Sequence, residues 1–70
     1  MESFGTRLRQ LRQERQEILG DVAKLLGVSI STYASYEGVR EPSYERLQVL
    51  AQHYNVTTDY LLGLSKHRQP

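Results

Sequence analysis

Apolar residues along this chain fall in short sets spaced for helices, and no stretch of four or more residues alternates with period two. Phe4, Leu8 and Leu11 share one face of a first helix, with Ser3 as its cap, so the spacing predicts a helix from about Ser3 to about Gln16. Val22, Ala23 and Leu26 predict a short second helix that stops at Gly27, a residue suited to a left-handed cap. Ser29 caps a third helix, which runs to near Glu37 ahead of Gly38. Pro42-Ser43 opens a fourth, where Leu47, Leu50, Ala51 and Tyr54 form a stripe and Asn55 closes it. Thr57 caps a short fifth helix through Leu62, ended by Gly63. The pattern therefore predicts an all-α fold, a compact bundle of five helices without a strand.

The segment from Asp21 to Glu37, DVAKLLGVSISTYASYE, carries the most information. Two short helices joined by a tight turn make a helix-turn-helix, the arrangement that sets its second helix in the major groove of DNA. At about 100° per residue, Ile30, Ser31, Ala34 and Ser35 fall on one side of the third helix, and Thr32, Tyr33 and Tyr36 on the other. Two tyrosines turned to the core anchor the helix, while small outward side chains let its backbone approach a partner. Ser and Thr hydroxyls bond to base edges or phosphates, and Ile30 suits a thymine methyl. No Arg, Lys, Asn or Gln stands on this face, so shape and phosphate positioning carry more of the recognition. Taken alone, such a face equally fits an ordinary surface helix.

Composition narrows the choices. Seventy residues make one small domain, and the absence of cysteine leaves neither a disulfide nor a thiolate metal site. That composition fits a reducing cytoplasm, and no apolar run is long enough to span a membrane. A net charge of +1 argues against a strongly basic clamp, although the placement of charge matters more than its sum. His53 and His67 have no metal-ligand partner at helical spacing, and there is no nucleophile motif or phosphate-cradling glycine loop. The chain therefore reads as a non-enzyme with no cofactor and no evident small-molecule substrate. Residues 1–63 form the domain, and 64–70 read as a flexible polar tail.

From about Phe4 to Gly63 the chain resembles the Cro/cI-type helix-turn-helix family of phage repressors and small bacterial regulators. LRQLRQER, DVAKLLGVS, STYASYE, REPSYERL and NVTTDYLLG carry the resemblance, in order and at near-family spacing. It implies a lambda-repressor-like fold whose second and third helices are the helix-turn-helix. It also implies a double-stranded DNA operator as partner and base contacts from Ile30, Ser31 and Ser35, with Thr32 and Ala34 secondary. Glu37 matches the acid that pairs with an Arg of the first helix, here Arg12. That pair is weighted toward bracing, with a phosphate contact from the spare donors of Arg12 kept open. Ser29, Arg40, Ser43 and Tyr44 are the other phosphate candidates, each with a solvated surface residue as its alternative.

The chain departs from the family pattern at the second helix. Ile18 and Leu19 stand where a hydroxyl cap and a phosphate-binding Gln are common, and Gly20 further weakens the first turn. The loop YEGVREPS is one residue shorter than the usual form, which loosens the placement of Arg40.

The resemblance implies a dimer on a palindromic operator, weak without DNA, whose contacts come from Tyr60, Leu61 and Leu64, with Val49 a further candidate. For Leu61 the alternative is a core position. The resulting expectation is a cytoplasmic repressor. A protein-interaction module on the same fold, antitoxin-like or adaptor-like, is the competing reading. The missing Gln, the apolar Ile30 and the low charge favour that competitor.

Overall fold

The computed structural model describes residues 3–70 as five helices: α1 (Phe4–Glu14), α2 (Leu19–Leu26), α3 (Ile30–Tyr36), α4 (Tyr44–Tyr54) and α5 (Thr58–Leu61). Each helix begins where a side chain can take up an orphan amide. The hydroxyls of Ser3, Ser29, Ser43 and Thr57 accept from the amides of Thr6, Thr32, Arg46 and Tyr60, respectively. α2 is the exception, because its cap is Ile18, which has no polar side-chain atom. Half of a capping box survives there, since the Asp21 carboxylate accepts from the Ile18 amide at 3.0 Å.

The helix ends are set by left-handed residues. Gly27 closes α2 at φ 70°, and Asn55 closes α4 at φ 54°. α1 ends at Glu14, short of the expected Gln16, because Gln16 itself turns left-handed at φ 57° and Glu17 donates back to the Arg12 carbonyl. α5 likewise stops at Leu61, with Leu62 as its cap.

The core gathers one stripe from every helix: Leu8 and Leu11, Val22 and Ala23, Tyr33 and Tyr36, Leu47 with Leu50 and Tyr54, then Tyr60 and Leu61. α2 packs on α3 as the helix-turn-helix, and α5 packs on both α4 and α1. Two of the expected dimer residues are thereby consumed. Tyr60 is 7% exposed and Leu61 0%, so both belong to the core of a single copy; Leu64, at 75%, remains on the surface.

Gly5 fixes how α1 meets α3. A Cβ at this position would stand 2.5 Å from the Glu37 carbonyl oxygen and 2.6 Å from that of Gly38, so only glycine admits this approach of backbone to backbone.

Residues 64–70 differ from the free tail that their polarity predicts. Arg68 forms a bidentate pair with Glu14 at 2.8 and 2.7 Å, and its carbonyl accepts from the Thr57 amide at 2.8 Å. Buried Arg7 stacks 4.4 Å from the centroid of the Tyr60 ring and donates to the carbonyls of Tyr60 and Ser65. The Cα radius of gyration, 10.9 Å with the tail included, matches the value of about 11 Å for a well-packed body of this length.

Candidate nucleic-acid interface

α3 is a helix of seven residues, too short to hold itself in place, and its position comes from contacts at both ends. At its start the Ser29 hydroxyl accepts from the Thr32 amide at 3.1 Å and lies 2.9 Å from the Thr32 hydroxyl. On its inner side the rings of Tyr33 and Tyr36 meet edge to face, 6.4 Å apart.

At its end sits Glu37, whose side chain is almost fully buried. That carboxylate accepts from Arg12 Nε at 2.7 Å, Arg12 Nη2 at 3.1 Å and the Tyr33 hydroxyl at 2.6 Å. Arg9 approaches it from the surface at 3.6 Å. Arg12 Nη1 donates to the Glu17 carbonyl at 2.9 Å, so one guanidinium joins the end of α3 to the loop that enters α2. The hydrogen bond to Glu37 raises the Arg12 pKa above its ordinary value. Burial, then the bond to Glu37, holds the Tyr33 hydroxyl protonated far above the usual range.

A second cluster secures the same loop against α4. The Glu17 carboxylate accepts from the Tyr54 hydroxyl at 2.8 Å and lies 2.6 Å from His53 Nε2. Arg15 donates to the His53 carbonyl at 2.6 Å and stacks over the Tyr54 ring. Burial, followed by the contact with Glu17, pushes the Tyr54 pKa well up. His53 is half-buried and tied to Glu17.

The outward face of α3 is small and apolar at its head. Ile30 is 56% exposed and Ser31 is exposed, whereas Thr32, Ala34 and Ser35 are half-buried. Thr32, assigned to the inner side from its angle, lies at the margin of the two faces. The Ser35 hydroxyl donates to the Thr32 carbonyl at 2.5 Å, so its proton is spent within the helix. The Ser29 hydroxyl is likewise committed to the cap, and Ser31 lies 3.2 Å from it.

The phosphate candidates lie in two places. Arg12 is mostly buried, with each of its three nitrogens bonded to protein. Arg40, Ser43 and Tyr44 are all exposed, on the loop after α3 and at the start of α4. The Arg40 amide donates to the Ser35 carbonyl at 3.1 Å, which anchors the short loop directly to α3. Its guanidinium lies over the Tyr36 ring at 5.9 Å. The Tyr44 hydroxyl accepts from Gln48 at 3.2 Å. Arg46, which sequence reasoning passed over, donates to the Tyr36 hydroxyl at 3.3 Å. Two cations thus flank the residue that ends α3. The only sequence signal for Arg46 was a buried tyrosine whose hydroxyl needed a partner.

Among the described residues no helix is long and apolar enough to cross a membrane, and no group of three or more His, Cys, Asp or Glu could hold a metal ion.

A profile of the helix-turn-helix domain family matches residues 3–62. The chain belongs to that helix-turn-helix family. It is 47% identical over 64 residues to the HTH-type transcriptional regulator AnsR of Bacillus subtilis (strain 168), covering 90% of this chain. It is 37% identical over 62 residues to the regulator ImmR of the same organism, covering 87% of this chain. It is also 39% identical over 64 residues to the cryptic phage CTXphi transcriptional repressor RstR of Vibrio cholerae, covering 90% of this chain. This chain spans 55%, 49% and 58% of those three proteins, respectively. Among solved structures it resembles the P22 c2 repressor in complex with synthetic operator 9T. That match has a TM-score of 0.84 and 27% identity, covering 93% of this chain and 100% of the other. The domain is therefore a Cro/cI-type helix-turn-helix with the lambda-repressor-like fold, and the curated relatives it matches are transcriptional regulators.

Proposed function

We propose that this helix-turn-helix domain binds double-stranded DNA sequence-specifically as a homodimer on a palindromic operator and represses transcription by occupying it. The observation that carries the reading is the brace on α3. Arg12, Tyr33 and Glu37 hold the helix from behind and leave Ile30 and Ser31 outward at its head. Two of the similar proteins, RstR and the P22 c2 repressor, are repressors, and the latter was solved on an operator. On this reading Ile30 and Ser31 meet base edges, with Thr32, Ala34 and Ser35 beside them. Arg40, Ser43 and Tyr44 meet the sugar-phosphate backbone, joined by Ser29 through its backbone more than its committed hydroxyl.

The dimer surface is revised to exposed residues. Leu64 keeps its place, and Leu62, 48% exposed, joins it, with Val49 at the margin. Such a dimer sets two copies of α3 about one helical turn, roughly 34 Å, apart. Its role belongs in the cytoplasm of a bacterium, with the DNA it regulates.

Selection of bound duplexes from a random pool tests this function. Enrichment of a two-fold symmetric site with half-sites about 10 base pairs apart is expected. No enrichment even at low salt would overturn it in favour of a protein-binding module.

A further inference from the structure

The head of α3 has an apolar neighbour that belongs to another helix. Ile18, the cap of α2, is 67% exposed, and Ile30, the first residue of α3, is 56% exposed. Their end methyl groups converge on one residue. A Cβ built on Gly20 would lie 3.6 Å from Ile30 Cδ1 and 4.0 Å from Ile18 Cδ1. The two side chains therefore both border Gly20, which adds no side chain between them. They form a small exposed apolar pad that includes the position where a hydroxyl cap is expected.

The polar resources around the pad are slight. The hydroxyls of Ser29 and Ser35 are committed to the helix itself, and Ser31 is bonded to Ser29. No Arg, Lys, Asn or Gln lies between Ile30 and Tyr36, so no side chain of α3 can make a bidentate contact to a base. Beside the exposed Ser31, what the head of the helix offers a major groove is apolar surface. The apolar feature of a major-groove edge is the C5-methyl group of a pyrimidine.

We infer that Ile18 and Ile30, both bordering Gly20, form a single pad that reads the C5-methyl group of a pyrimidine in each half-site. This inference rests on the DNA-binding reading above. It adds Ile18 to the specificity-determining residues and gives the substitution at the α2 cap a function: the capping hydroxyl is traded for an apolar contact. The same methyl group comes from thymine in ordinary DNA or from 5-methylcytosine in modified DNA.

The test uses the full chain and its selected duplex. Each thymine is replaced in turn by uracil, which removes the C5-methyl and nothing else, and binding is followed by fluorescence anisotropy. At one or two positions per half-site the loss is expected to be about fourfold, the worth of one buried methyl group. At such a position a 5-methylcytosine·guanine pair should bind better than cytosine·guanine by a similar factor. Ile30→Ala and Ile18→Ala should each shrink the thymine-to-uracil difference, while Ile30→Val retains it. Both isoleucines are exposed, and thermal melts followed by circular dichroism check that each variant is folded.

Enrichment from an unmodified pool assigns thymine as the source. Enrichment that appears only after cytosine methylation of the pool assigns 5-methylcytosine. Indifference at every position to loss of the C5-methyl, whether uracil replaces thymine or cytosine replaces 5-methylcytosine, or a sensitivity unchanged in both alanine variants, would overturn the pad while leaving DNA binding intact. A 5-methylcytosine pair no better than plain cytosine would overturn it too. Failure to enrich any duplex would overturn the pad and the DNA-binding reading together.

Discussion

Replacing Arg12 by Met should destabilise the domain far more than an average substitution. The variant keeps most of the aliphatic stem but removes three donors, two of which serve the Glu37 carboxylate. Glu37 would be left with the Tyr33 hydroxyl and a distant Arg9, whose side chain is 56% exposed and recovers little. Stripping one partner from a buried pair costs about 3–5 kcal/mol. Arg12 is partly open to solvent, which places the expected loss near the lower end, about 3 kcal/mol. A chain of this length has roughly 4–10 kcal/mol of stability in all, so a third or more of it is at stake.

Glu37→Gln should be milder. It leaves an amide oxygen for Tyr33, and Arg12 keeps the Glu17 carbonyl. The double variant Arg12→Met/Glu37→Gln has no buried unpaired charge. It should therefore be more stable than the sum of the singles, by about 1–3 kcal/mol. Urea unfolding followed by circular dichroism measures all four proteins, read through midpoints at constant slope. Losses that simply add, or an Arg12→Met protein within about 0.5 kcal/mol of the parent, would refute the brace.

Three further outcomes follow from the fold. Gly5→Ala should lower stability by about 1–3 kcal/mol despite its better helix propensity, because the new methyl meets backbone of Glu37 and Gly38; an unchanged urea midpoint would contradict the close approach. Ile18→Ser completes the capping box with Asp21, so it should raise stability by about 1 kcal/mol, or roughly 4–8 °C in Tm, while weakening DNA discrimination. The Arg68 hydrogen bonds hold the Glu14 carboxyl below its ordinary value of 4.5. The stability this contributes is therefore full above the unfolded pKa and is lost as pH falls through the folded one. Both side chains are about two-fifths exposed, so the effect is small and salt-sensitive. Thermal melts should show a gap between the parent and Glu14→Gln that is present at neutral pH and closes in acid; a gap that persists in acid would count against the pairing.

The helices were legible because their signals are local. Stripes such as Leu47, Leu50, Ala51 and Tyr54, and hydroxyl caps at Ser3, Ser29, Ser43 and Thr57, act within a turn or two of the chain. The end of α1 was harder to read, since Gln16 takes a left-handed conformation that glycine or asparagine would have advertised. The contacts of the tail were hidden for a different reason. Its polarity is real, but Arg68 finds Glu14 across 54 positions of sequence, a distance no window reveals.

At the candidate site, residue types located the face but not the state of its hydroxyls. That the Ser35 proton goes to the Thr32 carbonyl is a matter of rotamer, not of spacing. Tyr60 and Leu61 illustrate the limits of hydropathy, because an apolar pair on a short helix suits core and interface equally and only packing decides. The role of Gly5 has no local signal, because the backbone it approaches belongs to Glu37 and Gly38, just past the end of α3.

The central claim is that the outward face of α3 and the loop behind it engage a DNA duplex. Anisotropy titrations of a selected duplex across a range of salt concentrations, on the parent and on Arg40→Ala, test it most directly. The account predicts affinity falling steeply with salt, by about 0.9 in the logarithmic slope for each phosphate neutralised. Arg40→Ala should weaken all sequences alike and flatten that slope by about one. Binding indifferent to salt, or no binding to any duplex at low salt, would contradict it.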